Sequence, residues 1–299
     1  MRLFNQHFLR REQDHYQNYG IVKDGKNISW VAITGGSDGI GLAFCHHLAK
    51  QGFNILMIGR SESKMTEKLN ELKKQYQKID TYYILADFSK LSHYNDYERI
   101  AQRLKQYDVA MLLLNAGYGK PERFDAKENI EVEEAVNLNA LHCIYMTKAM
   151  LPQIQNRDKK SALLYTSSSL GVLYSPGNID YCFSKRLTSF LARGIHYELS
   201  QTNKVDVMTF EPFGVSSNLV KTKPNSLINS SEYASACALR DLGKEISTFG
   251  SISHYFQYWL LIAIGETRRN KMFYNFYTKQ FKKEYGQESS SDLSKNNKN

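Results

Sequence analysis

The sequence predicts an α/β protein: a single doubly wound parallel sheet with helices on both faces. Three observations predict it. Short, nearly uninterrupted apolar runs alternate with amphipathic segments, the pattern of strands buried on both faces and joined by crossover helices. A glycine-rich turn at 34–41 links the first apolar run to the first helical segment. The chain's 299 residues suit one domain with extensions and a large buried core.

Taken in order, strands are expected at 30–35, 54–59, 81–86, 109–114, 161–166 and 205–210, with helices filling the gaps. Segment 63–77 sets Met65, Leu69, Leu72 and Tyr76 at helical spacing, and the lysines between them form a solvated face. A long helix is expected over 131–151, ending at Pro152 and packing beside the helix that carries Tyr181. Residues 1–28 read as an amino-terminal arm, 29–254 as the principal domain, 255–285 as an apolar, then basic and aromatic, helical extension, and 286–299 as a disordered polar tail.

The four cysteines, Cys45, Cys143, Cys182 and Cys237, form no Cys-x-x-Cys pair, and no histidines stand at metal spacing. Reduced thiols are expected, with neither a disulfide framework nor a bound metal. The net charge of +9 suits an anionic partner or serves solubility alone. Cations gather late, where Arg268, Arg269, Lys271, Lys279, Lys282 and Lys283 interleave with aromatic residues. That mixture fits a membrane surface or an amphipathic helix docked on the core; no nucleic-acid module accompanies it, so no nucleic-acid partner is expected. The arm lacks the apolar stretch and cleavage site of a secretory signal, and Glu12 and Asp14 count against a mitochondrial presequence without removing it. Run 255–264 is about half the ~20 residues needed to cross a bilayer, so it is a core helix or a segment that enters a membrane interface.

The most informative residues lie between 168 and 185. Tyr181 and Lys185 are four apart and share one helical face, while Ser168 precedes the tyrosine by thirteen residues. A cation about 4 Å from a phenol would lower its pKa from ~10 by roughly three units, making it a usable acid near neutral pH. The trio reads as a proton-donating centre for carbonyl reduction. Upstream, Thr34-Gly35-Gly36-Ser37-Asp38-Gly39-Ile40-Gly41 follows a strand and opens a helix. Its glycines permit positive φ and close approach of a pyrophosphate, whose charge the helix N-terminus stabilises, as in Rossmann-type folds.

Together these motifs resemble the short-chain dehydrogenase/reductase family over residues 29–283. Its glycine motif matches Thr34, Gly35, Gly39 and Gly41, its Asn-Ala-Gly matches Asn115-Ala116-Gly117, and its tetrad matches Asn139, Ser168, Tyr181 and Lys185. Ser167 and Ser169 flank the chosen serine, and the spacing to Tyr181 decides among them. A finer resemblance is to the branch of very-long-chain 3-oxoacyl-CoA reductases and 17β-hydroxysteroid dehydrogenases, carried by 37–41, Gly59-Arg60-Ser61 with Lys64, Asp87-Phe88-Ser89 and a late stretch at 232–254. The chain departs from that branch in having no long apolar amino-terminal segment.

The resemblance implies cofactor contacts from Thr34, Gly35, Ser37, Asp38, Gly39, Ile40, Arg60, Asp87, Asn115, Ala116, Gly117, Tyr181 and Lys185, with Pro212, Val215 and Ser217 on the nicotinamide and substrate wall. Arg60 stands where an NAD enzyme usually has an acid, and a guanidinium pairs well with a 2′-phosphate, so NADP(H) is expected unless Arg60 is merely exposed. Asp87 contacts adenine or forms a strand-end turn. Asn139 orders a water that relays protons to Lys185, or is a helix-interior hydrogen-bonder. Tyr174, Pro176, Phe183, Phe213 and Leu219 line an apolar pocket or build core. The implied activity is reduction of a lipid ketone or acyl-CoA by a homodimer at the endoplasmic reticulum membrane periphery or in the cytoplasm. The alternatives are a non-catalytic nucleotide-binding scaffold and a reductase of another small carbonyl.

Overall fold

Seven strands form one parallel sheet: β1 (Ser29–Thr34), β2 (Asn54–Gly59), β3 (Thr81–Leu85), β4 (Asp108–Leu114), β5 (Ser161–Thr166), β6 (Val205–Phe210) and β7 (Ser247–Thr248). Their spatial order is β3-β2-β1-β4-β5-β6-β7, every neighbour parallel. This computed structural model describes residues 5–285; the expected polar tail at 286–299 lies outside them. The strands are buried on both faces because helices cover both. On one side α1 (Gly39–Lys50), α2 (Glu62–Gln75) and α8 (Ser231–Asp241) pack Phe44, Leu48, Leu69 and Ala238 against Val31, Ile33, Ile55 and Met57. On the other, α3 (Tyr94–Leu104), α5 (His142–Gln155) and α7 (Ile179–Leu199) pack Tyr97, Ile100, Met146, Met150 and Ala192 against Ala32, Leu56, Leu112, Leu163 and Tyr165.

The chain direction changes sides between β1 and β4, which puts a crevice at the carboxyl ends of those strands. The expected strands match six of the seven within one residue at each end. The seventh, β7, has only two residues; it is held where Glu211 N donates to Thr248 O at 2.8 Å and Thr209 N to Ile246 O at 3.0 Å.

The expected long helix over 131–151 is instead two helices fused through a wider turn. Helix α4 (Asn129–Val136) runs into a π-helical turn, Asn137–Leu141, and then into α5. Pro152 does not end α5, which continues to Gln155. A proline in a final turn removes one of the last bonds of the ladder, at little cost beside one placed mid-helix.

The amino-terminal arm lies against β7 and α8. Gln6 is buried and donates to Asp241 Oδ2 at 2.6 Å, and Arg10 bridges Asp241 and Glu245 at 3.0 and 2.9 Å. Run 255–264 is not a core helix. In α9 (Ile252–Ala263) only His254 and Leu261 are buried, and Phe256 and Trp259 are 65% and 58% exposed. A short helix, α6 (Ser169–Val172), follows β5, and α10 (Glu266–Tyr285) closes the described chain.

Candidate active site

The glycine turn is fixed to the loop after β4. Thr34 Oγ1 accepts from Asn115 N at 2.9 Å and from Ala116 N at 3.0 Å, and Asn115 Nδ2 donates to Gly35 O at 3.3 Å. Gly35 has φ +67°, and a Cβ there would stand 3.0 Å from Ala116 Cα. Asp38 caps α1 by accepting from Gly39 N at 2.7 Å. Ser37 and Ile40 flank it, half-buried at the first turn. The helix thus opens beside the crevice with its free N–H groups available to a phosphate.

Arg60 is exposed just beyond β2, and its guanidinium makes no hydrogen bond or ion pair among the described residues. Asp87 forms a strand-end turn, its Oδ1 accepting from Ser89 N at 3.2 Å and Ser89 Oγ at 2.9 Å. After β6 the loop returns across the turn. Pro212 O accepts from Ser169 N at 2.9 Å, Val215 is buried, and a Cβ on Gly39 would stand 2.9 Å from Ser217 Cβ. Asp38, Gly39, Ser217 and Lys221 border a cleft of about 600 Å³ between α1 and this loop. These features fit a dinucleotide: a helix N-terminus for pyrophosphate, a free guanidinium at the second strand, and loops from β1, β4 and β6 converging on one crevice.

The tetrad residues gather at the ends of β4 and β5. Ser168 caps α6, its Oγ accepting from Leu170 N at 3.2 Å, and its hydroxyl is near enough to the Tyr181 phenol to lower its pKa. Its neighbour Ser167 is committed elsewhere, donating to Lys185 O at 2.6 Å. Lys185 is buried, and its Nζ donates to Thr166 O at 2.8 Å and lies 5.8 Å from the centroid of the Tyr181 ring. Gly117 has no room for a side chain, since a Cβ would meet Lys185 Nζ at 2.8 Å and Asn139 Oδ1 at 2.9 Å.

Electrostatics correct one expectation. Burial pushes the Tyr181 phenol up to about 12, with the Ser168 hydroxyl pulling the other way. Burial lowers the Lys185 amine to about 8. The lysine therefore does not bring Tyr181 towards neutral pH here, because its ammonium is bound to the Thr166 carbonyl rather than set against the phenol oxygen. Asn139 sits in the π-helical turn, where such turns often mark functional sites. Its Nδ2 donates to Tyr118 O at 2.7 Å and Ala135 O at 3.0 Å, and its Oδ1 accepts from Tyr118 N at 2.9 Å. Its side chain thus braces the loop that carries Gly117. Of the expected pocket residues, Phe213 packs instead against Phe249 and His254.

Helix α10 folds back over this centre, which the sequence reading did not foresee. Tyr277 lies within electrostatic reach of Tyr181 and packs against Gly177, where a Cβ would stand 3.3 Å from Tyr277 Cβ. Tyr274 lies within electrostatic reach of Arg123, and Tyr174 donates to Glu266. The helix therefore spans the loops that follow β4 and β5.

A nucleotide crevice beside a serine, a tyrosine and a lysine defines an NAD(P)-dependent oxidoreductase acting on the CH–OH/C=O pair. The chain belongs to the short chain dehydrogenase family, whose model matches residues 29–227. It is 30% identical to the very-long-chain 3-oxoacyl-CoA reductase of Rattus norvegicus over 231 residues, covering 75% of this chain and 72% of that one. A reductase of the same name from Anas platyrhynchos is 29% identical, covering 78% and 74%, and a putative steroid dehydrogenase 4 of Caenorhabditis elegans 28%, covering 78% and 90%. A solved 7β-hydroxysteroid dehydrogenase has the same fold, with TM-score 0.74 at 22% identity over 82% of this chain and 96% of that one.

Proposed function

We propose that this protein reduces a lipid ketone of the 3-oxoacyl-CoA or 17-ketosteroid class with NADPH, with Tyr181 as the acid. The observation that carries this reading is the meeting of Ser168, Tyr181 and Lys185 beside the nucleotide crevice. The nicotinamide, when bound, supplies the hydride. Tyr181 holds its proton at neutral pH, and Ser168 donates to the oxygen on which charge develops. An alkoxide is a stronger base than a phenolate, so transfer from Tyr181 runs downhill even with its pKa near 12. Lys185, mostly cationic at neutral pH, would hold the nicotinamide ribose. Asn139 keeps the Gly117 loop in place beneath it. Thr34, Gly35, Ser37, Asp38, Gly39 and Ile40 would take the pyrophosphate, Arg60 the 2′-phosphate, Asp87 the adenine, and Asn115, Ala116, Pro212, Val215 and Ser217 the remaining edges.

The relatives named 3-oxoacyl-CoA reductases support the acyl-CoA choice. Leu187, Phe190 and Tyr197, exposed on α7, support a homodimer through that helix, and the lipid substrate supports work at the endoplasmic reticulum surface. No described helix is long and apolar enough to cross a membrane. The test is NADPH oxidation with a long-chain 3-oxoacyl-CoA and with a 17-ketosteroid. Turnover of either upholds the reading, and cofactor binding without turnover of either overturns it in favour of a scaffold or another carbonyl substrate.

A further inference from the structure

Helices α9 and α10 each present two faces. On α9, Ile252, Phe256, Trp259 and Leu260 are exposed at positions i, i+4, i+7 and i+8, one apolar stripe in which the Trp259 ring meets that of its helix neighbour Tyr258 edge to face. On α10, Arg268, Lys271, Met272, Phe276 and Lys279 are exposed along one face, while Arg269 is buried and Phe273 and Tyr277 are half-buried on the other. Gly265, with φ +86°, turns the chain between them. Glu266 is the one acid between positions 246 and 279, and it is engaged by Tyr174.

We propose that this helix pair is an interfacial lid that seats on an anionic lipid bilayer. Phe256, Trp259 and Phe276 enter the boundary between headgroups and acyl chains, and Arg268, Lys271 and Lys279 meet the phosphates. A twelve-residue helix spans about 18 Å, too short to cross ~30 Å of hydrocarbon, so α9 lies in the plane of the interface. The charge pattern selects the occupant. Cores of protein–protein interfaces are depleted in lysine, whereas an apolar stripe edged by cations and free of uncommitted acid complements an anionic surface. The inner face of the same α10 reaches the active centre through Tyr277, so the docked surface adjoins the mouth of the site. That consequence, delivery of a membrane-borne ketone, rests on the lipid-ketone reading; the docking itself does not.

The experiment is flotation of the full chain with vesicles of phosphatidylcholine alone and of phosphatidylcholine with phosphatidylserine. The chain is expected to float with the mixed vesicles and to be released by raised salt. Phe256→Glu with Trp259→Glu should abolish flotation. Exchanging Arg268, Lys271 and Lys279 for glutamine should weaken it about a hundredfold, at ~1 kcal/mol per cation. NADPH binding followed by fluorescence verifies that each variant is folded, and Val22→Glu, at an exposed position of the amino-terminal arm, should float unchanged. Failure of the unmodified chain to float, or wild-type flotation by the Phe256/Trp259 variant, overturns the proposal. So does conversion of a dimer to a monomer by that variant in light scattering, which assigns the face to a second copy. A chain that floats but turns over no ketone leaves the docking standing and sinks only the catalytic reading.

Discussion

The amine of Lys185 donates to the main-chain carbonyl of Thr166 at 2.8 Å, and the ring of Tyr181 lies 5.8 Å from it. The lysine is thereby tethered to the end of β5, buried, with its pKa lowered to about 8. It is charged below that pH and neutral above it. Reduction should therefore hold steady around neutrality and fall through about pH 8 with the slope of one proton. Lys185→Met should remove that limb and lower kcat by about 10²- to 10⁴-fold. A kcat profile for NADPH oxidation checks both, and a limb unchanged in Lys185→Met would reject the assignment.

Tyr181→Phe keeps the ring and removes the proton. Reduction should drop by about 10²- to 10⁴-fold while NADPH affinity, read by fluorescence titration, stays within about twofold. If turnover survives at more than a tenth of wild type, another group is the acid.

Arg60 has no partner of its own to lose among the described residues, so substitution there should be structurally quiet. Arg60→Ala should raise KM for NADPH about ten- to a hundredfold and leave NADH nearly unaffected, the cost of one charge-assisted contact. Paired KM measurements decide it, and equal losses for both cofactors would place Arg60 outside the 2′-phosphate site.

What the sequence made legible follows from local physics. Apolar runs such as 55–58 and 111–114 are buried on both faces and need no context to be read as strands, and the glycine turn and the Tyr181/Lys185 spacing are written in adjacent residues. What it hid depends on distant pairings. Strand β7 exists only because β6 offers an edge to Thr248, Gln6 reaches Asp241 across most of the chain, and Tyr277 approaches Tyr181 only after α10 folds back. The π-helical turn at Asn139 was invisible because 137–141 keeps ordinary helical composition. The raised pKa of Tyr181 is likewise not legible, because helical spacing fixes which face Lys185 shares, not which oxygen its amine binds.

Two buried histidines should make the fold acid-sensitive. Burial holds His142 down to about 3 and His15 to about 4, from the ordinary 6.5. Both folded values lie below the unfolded one, so their contribution is complete above about pH 6.5 and is lost as pH falls, at up to ~1.4 kcal/mol per pH unit for each proton the unfolded chain gains. Urea midpoints should decline between about pH 6.5 and 4, and His15→Gln should flatten the decline. A midpoint independent of pH over that range would show the histidines to be solvated.

The loop after β4 is fastened to the helix of the acid by one buried ion pair. Lys127 Nζ donates to Asp180 Oδ2 and, at 2.8 Å, to Lys120 O; both side chains are 2% exposed. Asp180 immediately precedes Tyr181 in the first turn of α7, where the helix N-terminus also favours its negative charge. Removing one partner strands the other charge in a medium that solvates it poorly. Lys127→Met or Asp180→Leu alone should cost about 3–5 kcal/mol in denaturant unfolding, whereas the double substitution should recover most of that loss. If Tyr181 depends on this pair for position, the double variant will be stable yet slow, with kcat reduced and NADPH affinity retained. Single variants within about 1 kcal/mol of wild type would mean that water reaches the pair and that it fixes nothing.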